Sequence, residues 1–286
     1  PVLARIKADF EKTVPGVALE AIRQTGSTVM LRPEQERKSG VDGADILIMV
    51  DTGWLEDRDK EGALIAPLGP EVKTWPSSYL RRRTIPILAV EPFVIVYNRS
   101  QVKTAISGYQ DLLKSELRGK VGTLEIMSAT AAAWYDWLEK TQGPDFLKKL
   151  SAQTSRFDPS AVPSTQAVSS GEISVAAFSI MSIAGPLIEQ GAPIAAVVPK
   201  PSLGLAYNGA ILGWSKRPNA ALVFMDYLMS RRGQTMWHGR GETASPVKDI
   251  PGSLEAATVN TFDPKPYTAD VVNAAREKWT RTFATK

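Results

Sequence analysis

From Leu205 to Glu242 the chain passes from an apolar run to a helical period and then to a glycine turn. The run Leu205 to Trp214, broken by Gly209 and Gly213, predicts a strand in which glycine lets another backbone or a ligand come close. Pro218 then opens a helix whose Ala221, Leu222, Met225, Leu228 and Met229 recur at i, i+3, i+4 spacing and form one buried face. Gly233 to Trp237 continues as a shorter helix that stops at Gly239-Arg240-Gly241, leaving Glu242 in a loop.

The same reading applies from the start of the chain. Pro1 to Phe10 predicts a helix with Leu3, Ile6 and Phe10 on one face, and Val17 to Arg23 alternates as a strand. Gly26-Ser27-Thr28 opens a helix to about Arg37, with Ser27 or Thr28 as its cap. Ala44 to Val50 is a short, continuously apolar strand of the parallel, buried kind, ending in the turn Asp51-Thr52-Gly53-Trp54. Leu64 to Leu68 and Pro70 to Tyr79 form a proline-rich crossing loop. Ile85 to Asn98 is a long apolar strand in which Glu91-Pro92 argues for a bulge or an edge.

Further along, Tyr109 to Leu113 is a short helix and Lys120 to Ile126 a strand. Met127-Ser128-Ala129-Thr130 opens a helix that carries Trp134, Tyr135, Trp137 and Leu138 as core. Phe146 to Leu150 extends the helical layer. A helix from about Ser164 to Ser170 is followed by a strand from Ile173 to Phe178, an apolar helix after Gly185-Pro186 to Glu189, and a strand from Ile194 to Val198. Pro246 to Gly252 is loop, and Asp263-Pro264 begins a terminal helix with Val271, Val272, Ala275 and Trp279 on one face.

Composition narrows the class. The 286 residues are 43% hydrophobic and 22% charged, which suits two α/β lobes or one large domain and excludes wholesale disorder. The net charge of +4 and pI near 9.2 fit a protein that meets anionic solutes. The basic residues are dispersed apart from Arg81-Arg82-Arg83, read as a solvated surface turn, so no nucleic-acid partner is expected. Without cysteine, disulfides, thiolate metal sites and cysteine nucleophiles are excluded. No apolar stretch reaches the roughly 20 residues of a membrane span.

Candidate chemistry lies at helix starts and strand ends. Hydroxyls at Ser27, Thr28, Ser128, Thr130, Ser164 and Thr165 would stand at three helix N-termini, where free N–H groups attract anions. Asp51, Thr52 and Trp54 follow a strand end, the usual wall of an α/β crevice. The single histidine, His238, near a helix end, reads as a partner of the helix dipole. No G-x-S-x-G elbow, G-x-G-x-x-G or Walker A loop is present. Asp51 and Glu242 are the carboxylates that an α/β enzyme would use, and an effector-sensing domain of similar fold is a further alternative.

The order of a glycine-broken strand, Lys-Arg-Pro-Asn-Ala-Ala opening a helix with Phe-Met-Asp-Tyr-Leu-Met-Ser, then Gly-Gln and a glycine turn, resembles the last third of the family 1 solute-binding proteins of bacterial ABC importers. Val-Tyr-Asn at the end of the long strand fits the same pattern. The resemblance implies a two-lobed type II periplasmic-binding-protein α/β fold, each lobe a mixed sheet flanked by helices, joined by a two-strand hinge and closing on a solute. Lobe one would be residues 1–97 with 209–255 and lobe two 98–208, with the helix 264–286 packed on lobe two. It also implies ligand contacts at Phe178 and Ser179, just after the second lobe's strand, and at Tyr207, Asn208 and Glu242.

Further implications are a periplasmic location, importer membrane subunits as partners, a monomeric state, and no cofactor. An export signal and a first strand would precede Pro1. In ferric-iron members two adjacent tyrosines follow the strand that here ends Phe178-Ser179-Ile180-Met181. No tyrosine occurs between Tyr135 and Tyr207, so iron is not expected as cargo. The expected cargo is a small oxyanion-bearing solute, such as a phosphonate, phosphate ester or carboxylate.

Overall fold

A computed structural model of the chain describes residues 2–23 and 28–284. The expectation for Ser27 lies outside them, and so does that for the Thr28 hydroxyl, only the backbone of Thr28 being described. In chain order the elements begin with helices α1 (Val2–Thr13) and α2 (Thr28–Ser39), strand β1 (Ile46–Met49), helix α3 (Thr52–Lys60), short strands β2 (Leu64–Ile65) and β3 (Leu80–Arg81), and the long strand β4 (Ile85–Asn98). Next come β5 (Val121–Leu124), α4 (Ala129–Gln142), α5 (Phe146–Gln153), β6 (Thr154–Asp158), α6 (Ala161–Ser170), β7 (Val175–Ile180), α7 (Met181–Glu189) and β8 (Ile194–Val197). The chain ends with β9 (Ser202–Leu212), α8 (Pro218–Met229), α9 (Arg231–His238), the short strands β10 (Ala244–Ser245), β11 (Leu254–Glu255) and β12 (Val259–Thr261), and α10 (Ala269–Ala284). Two compact units result: unit one is Pro1–Val90 with Ala206–Thr258, and unit two is Glu91–Leu205 with Val259–Lys286.

In unit one, β1 and β2 both run antiparallel to β9, Leu47 opposite Ala210 and Leu64 opposite Leu212. The apolar run of β1 therefore reflects cover on both faces rather than the parallel pairing expected. Ile46 and Ile48 pack toward the cluster of Phe10, Leu88 and Met225, while Leu47 and Met49 join Leu55 and Leu212. Gly209 makes room for core side chains, since a Cβ there would lie 2.7 Å from Leu88 Cδ1. On α1, Ile6 and Phe10 are buried, and Phe10 meets Phe224 and Tyr227 at ring-centroid distances of 4.8 and 5.2 Å. Leu3, expected on that face, is 44% exposed.

Residues 17–23, expected as a strand, form none. Side chains of α1 take the backbone groups that a ladder would use: Leu19 N–H donates to the Glu11 carboxylate at 2.8 Å, and the Lys7 ammonium donates to the Leu19 carbonyl. The Arg81–Arg83 turn links β3 to β4, with Arg82 and Arg83 at φ 49° and 65°. α9 is fixed to β4 by polar bonds. Gln234 Nε2 donates to the Leu88 and Leu228 carbonyls at 3.2 and 2.8 Å, and Ser245 Oγ donates to Gln234 Oε1 at 2.6 Å.

His238 belongs to the same buried network. Its Nε2 donates to the Leu88 carbonyl at 3.3 Å and its Nδ1 accepts from the Thr243 hydroxyl. Burial pushes the imidazole pKa down to about 3. The ring is therefore neutral, and the expected role as a cationic partner of the helix dipole is corrected.

In unit two, β7, β5 and β6 lie side by side in parallel, with Val121 opposite both Val175 and Thr154. β4 is antiparallel to β7 and β8. Trp134 and Tyr135 fill the core: Trp134 Nε1 donates to the Tyr109 hydroxyl at 3.0 Å, and the Tyr135 hydroxyl donates to the Leu124 carbonyl at 2.8 Å. α10 adds Val272, Trp279 and Phe283 to this core, Trp279 stacking on Tyr135 at 6.2 Å. It begins at Ala269 behind the Thr268 hydroxyl, which accepts from Val271 N–H at 3.4 Å, rather than at Asp263-Pro264. Tyr109–Leu113 is a 3₁₀ turn. α7 starts at Met181 and holds Pro186 inside it, earlier than expected.

Candidate functional site

Because β5, β6 and β7 are parallel, their carboxyl ends share one edge of the unit-two sheet, neighbours being about 4.8 Å apart. Each strand there runs into a helix N-terminus: β5 into α4, β6 into α6 and β7 into α7. This is the edge at which open α/β sheets bind ligands. Ser128 is the N-cap of α4 and accepts from Ala131 N–H at 3.2 Å. The first-turn amides of Ala129 and Thr130 then have no intrahelical carbonyl to bond. Ser128 is exposed and Thr130 half-buried.

α6 opens at Ala161, behind Ser160, whose side chain makes no cap bond. Its third position is Pro163, so Ala161 and Val162 carry the first-turn donors. Met127 and Val162 at this edge are 60% and 44% exposed. At α7 the N-terminus already meets a carboxylate of the same unit, Ser182 N–H donating to Glu91 Oε1 at 3.1 Å. Glu91 is almost wholly buried. Sequence reading passed over Ser160, Ser182 and Glu91, although a glutamate within an apolar strand was a signal.

Two hydroxyls expected at a helix start lie inside α6 instead. Thr165 donates to the Ala161 carbonyl at 2.7 Å and accepts from Ser179 Oγ at 2.7 Å, which brings two expected site residues together as a buried lock between α6 and β7. Ser164 Oγ is buried without a partner among the described residues and faces the backbone of β5, 3.1 Å from where a Cβ on Gly122 would stand. Phe178 packs in the core between Phe93 and Trp134, at 4.5 and 5.2 Å.

In unit one, Asp51 caps α3, its Oδ1 accepting from Gly53 N–H at 2.8 Å, and remains exposed. The expected turn 51–54 is thus the start of a helix. Thr52 and Asn208 are both buried. Asn208 Nδ2 donates to the carbonyls of Met49, Val50 and Ala206, which ties β9 to the end of β1. Tyr207, half-buried, precedes it on β9 and so projects from the opposite face. Trp54 packs edge-on against Trp214 at 6.5 Å with the Arg58 guanidinium 5.5 Å from its ring centre. Glu242 pairs with Arg5 at 2.8 Å, while Arg5 Nε donates to the Met236 carbonyl. Asp51 and Glu242 thus hold different partners and are not bonded to each other.

Among the described residues no group of three or more His, Cys, Asp or Glu is placed to hold a metal ion, and no helix is long and apolar enough to cross a membrane. No curated protein matches the sequence. Solved structures do. The substrate-binding protein of an ABC transporter from Agrobacterium tumefaciens superposes with a TM-score of 0.78 at 17% identity, over 99% of this chain and 92% of that one. The periplasmic binding protein AfuA from Actinobacillus pleuropneumoniae, with fructose-6-phosphate bound, gives 0.67 at 17% identity over 100% and 96%. The apo ferric ion-binding protein A of Pasteurella haemolytica gives 0.68 at 16% identity over 98% and 94%.

At these identities the likeness establishes the fold, that of two-lobed periplasmic binding proteins. The sequence itself matches the family of bacterial extracellular solute-binding proteins over residues 1–241. With that match spanning most of its length, the chain belongs to the bacterial extracellular solute-binding proteins, a family of binding proteins and not of enzymes.

Proposed function

We propose that this chain is the substrate-binding component of an ABC importer and that its cargo is a small solute bearing an oxyanion, such as a phosphonate, a phosphate ester or a carboxylate. The observation that carries the reading is the pair of helix N-termini, α4 and α6, at the carboxyl edge of two adjacent parallel strands, with Ser128 and first-turn amides that have no intrahelical carbonyl to bond. A hydrogen bond to a charged group contributes about 1.5 to 3 kcal/mol. A few therefore reach the roughly 8 kcal/mol of micromolar binding.

The sugar phosphate held by AfuA and the transporter named for the Agrobacterium protein support this reading. Iron fits less well, because Ile180 at the end of β7 and Met181 at the start of α7 stand where the resemblance places two tyrosines, and a hard cation needs oxygen or nitrogen ligands. The importer's membrane subunits are then the partners, and the periplasm the location.

Calorimetric titration with inorganic phosphate, methylphosphonate, acetate, ferric citrate and spermidine tests the reading. At least one anion binds, and the double substitution Ser128→Ala with Thr130→Ala weakens it by about tenfold or more, the scale of one lost charge-assisted bond, while the fold persists. Tight binding of spermidine alone, or a tyrosinate-to-iron charge-transfer band, contradicts it.

A further inference from the structure

Three helix N-termini meet the carboxyl edge of the unit-two sheet, and one of them is already filled from within the unit. The ladder between β4 and β7 sets Val94 opposite Ser179 and Phe93 opposite Ile180, and the same register carried onward sets Glu91 opposite Ser182, the second residue of α7. Pro92 has no N–H with which to continue the ladder. A side-chain bond stands in its place: Ser182 N–H donates to Glu91 Oε1 at 3.1 Å.

Packing holds this carboxylate where it is. β9 passes so close behind it that a Cβ on Gly204 would lie 2.9 Å from Pro92 Cα, and Glu91 is only 1% exposed. A carboxylate taken so far out of water needs compensation. The start of α7 supplies it twice over, as an amide with no intrahelical acceptor and as the positive end of the helix dipole. Ser182 Oγ, buried with no partner among the described residues, is a second donor on the residue that holds the carboxylate. α7 thus carries its own anion, whereas α4 is capped by the neutral Ser128 and α6 has no side-chain cap. β7 lies beside β5 and β5 beside β6. With strands about 4.8 Å apart, the Glu91 charge stands on the order of 10 Å from the other two helix starts, about one Debye length at moderate salt.

We propose that Glu91 is a specificity-determining residue: it occupies the start of α7 in place of a solute oxyanion and, through its charge, favours a singly charged oxyanion over a doubly charged one at α4 and α6. The inference rests on the reading that these two helix starts receive the oxyanion of the solute, and it adds the charge that this group carries. A carboxylate or a phosphate diester meets the condition. A phosphate monoester, doubly charged above a second pKa of about 6, does not.

The full chain is titrated calorimetrically at low ionic strength and about pH 8 with dimethyl phosphate, which carries one charge, and methyl phosphate, which carries two. The wild type binds dimethyl phosphate more tightly. Glu91→Gln keeps the shape and an acceptor for Ser182 N–H but removes the charge. In that variant dimethyl phosphate gains about threefold and methyl phosphate about tenfold, because the repulsion removed doubles with the charge of the ligand. Glu91→Asp, which keeps the charge, stays near the wild-type ratio. A wild type that prefers methyl phosphate overturns the inference and leaves the oxyanion reading standing, and this arm holds even where Glu91→Gln fails to fold. A folded Glu91→Gln protein in which both affinities shift by the same factor, or not at all, overturns it equally and assigns Glu91 a structural role alone. Absence of binding of either anion to the wild type overturns the oxyanion reading and the inference with it.

Discussion

His238 illustrates how position along a helix misleads about a single side chain. Its place at the end of α9 suggests a cation facing carbonyls, yet the ring is packed against β4 and held neutral, its pKa pushed by burial from the ordinary 6.5 down to about 3. Between those values the unfolded chain binds a proton that the native state does not. The stabilisation is therefore complete above pH 6.5 and is lost as pH falls toward 3. At about 1.4 kcal/mol per pH unit, acidification from pH 6.5 to 5 should cost about 2 kcal/mol of unfolding free energy. Asp9, held below the ordinary carboxylate value of 3.8 by its bond to Arg232, loses its share only at lower pH. Urea unfolding of the wild type and of His238→Gln across this range checks the sign: the wild type loses stability and the variant flattens. A wild-type curve that is level from pH 6.5 to 5 would show that the ring already shares its proton with solvent.

Ser164 and Thr165 mislead for a different reason. Starting α6 a few residues too late turns interior hydroxyls into apparent caps, whereas Ser160 followed by Ala161, Val162 and Pro163 is the pattern of a true helix start. Ser128 was legible because a hydroxyl directly after an apolar strand and ahead of an alanine run has few other uses. The bond of Glu91 to α7 was not, since sequence shows a polar residue in an apolar strand but not which partner it meets.

Among elements, those with a periodic apolar face were read well and those without were missed. β4, β9, α4 and α8 bury most of one face or more and stand out in the pattern. α3 buries only Thr52 and Leu55 among charged neighbours, and β6, Thr-Ser-Arg-Phe-Asp, buries only its two ends, so neither carries a hydrophobic period. The residues 17–23 carried such a period without becoming a strand, because α1 supplies their hydrogen bonds. α10 makes a quantitative test at this scale, since Trp279 is buried on Tyr135 and Lys278 lies over its ring at 4.2 Å. Trp279→Ala should cost about 3 to 5 kcal/mol, the usual range for emptying a buried tryptophan site. A denaturation midpoint equal to that of the wild type would mean that α10 contributes nothing to the core of unit two.

For the molecule as a whole, the chain changes unit inside β4 and β9, at Val90–Glu91 and Leu205–Ala206, and again at Thr258–Val259, just before β12 pairs with β9. The first two passages run through long apolar strands that the sequence displays. The third lies in a stretch with no period, where only the following helix α10 leaves a trace in the pattern. A net charge of +4 gives the molecule a mild attraction for anions, while selectivity must come from individual groups. The central claim is the chemistry of the cargo, and native mass spectrometry of the chain purified from its own cells tests it most directly. The account predicts one small adduct, released on denaturation, that carries an acidic oxyanion. A polyamine or a metal ion as the sole adduct would contradict it.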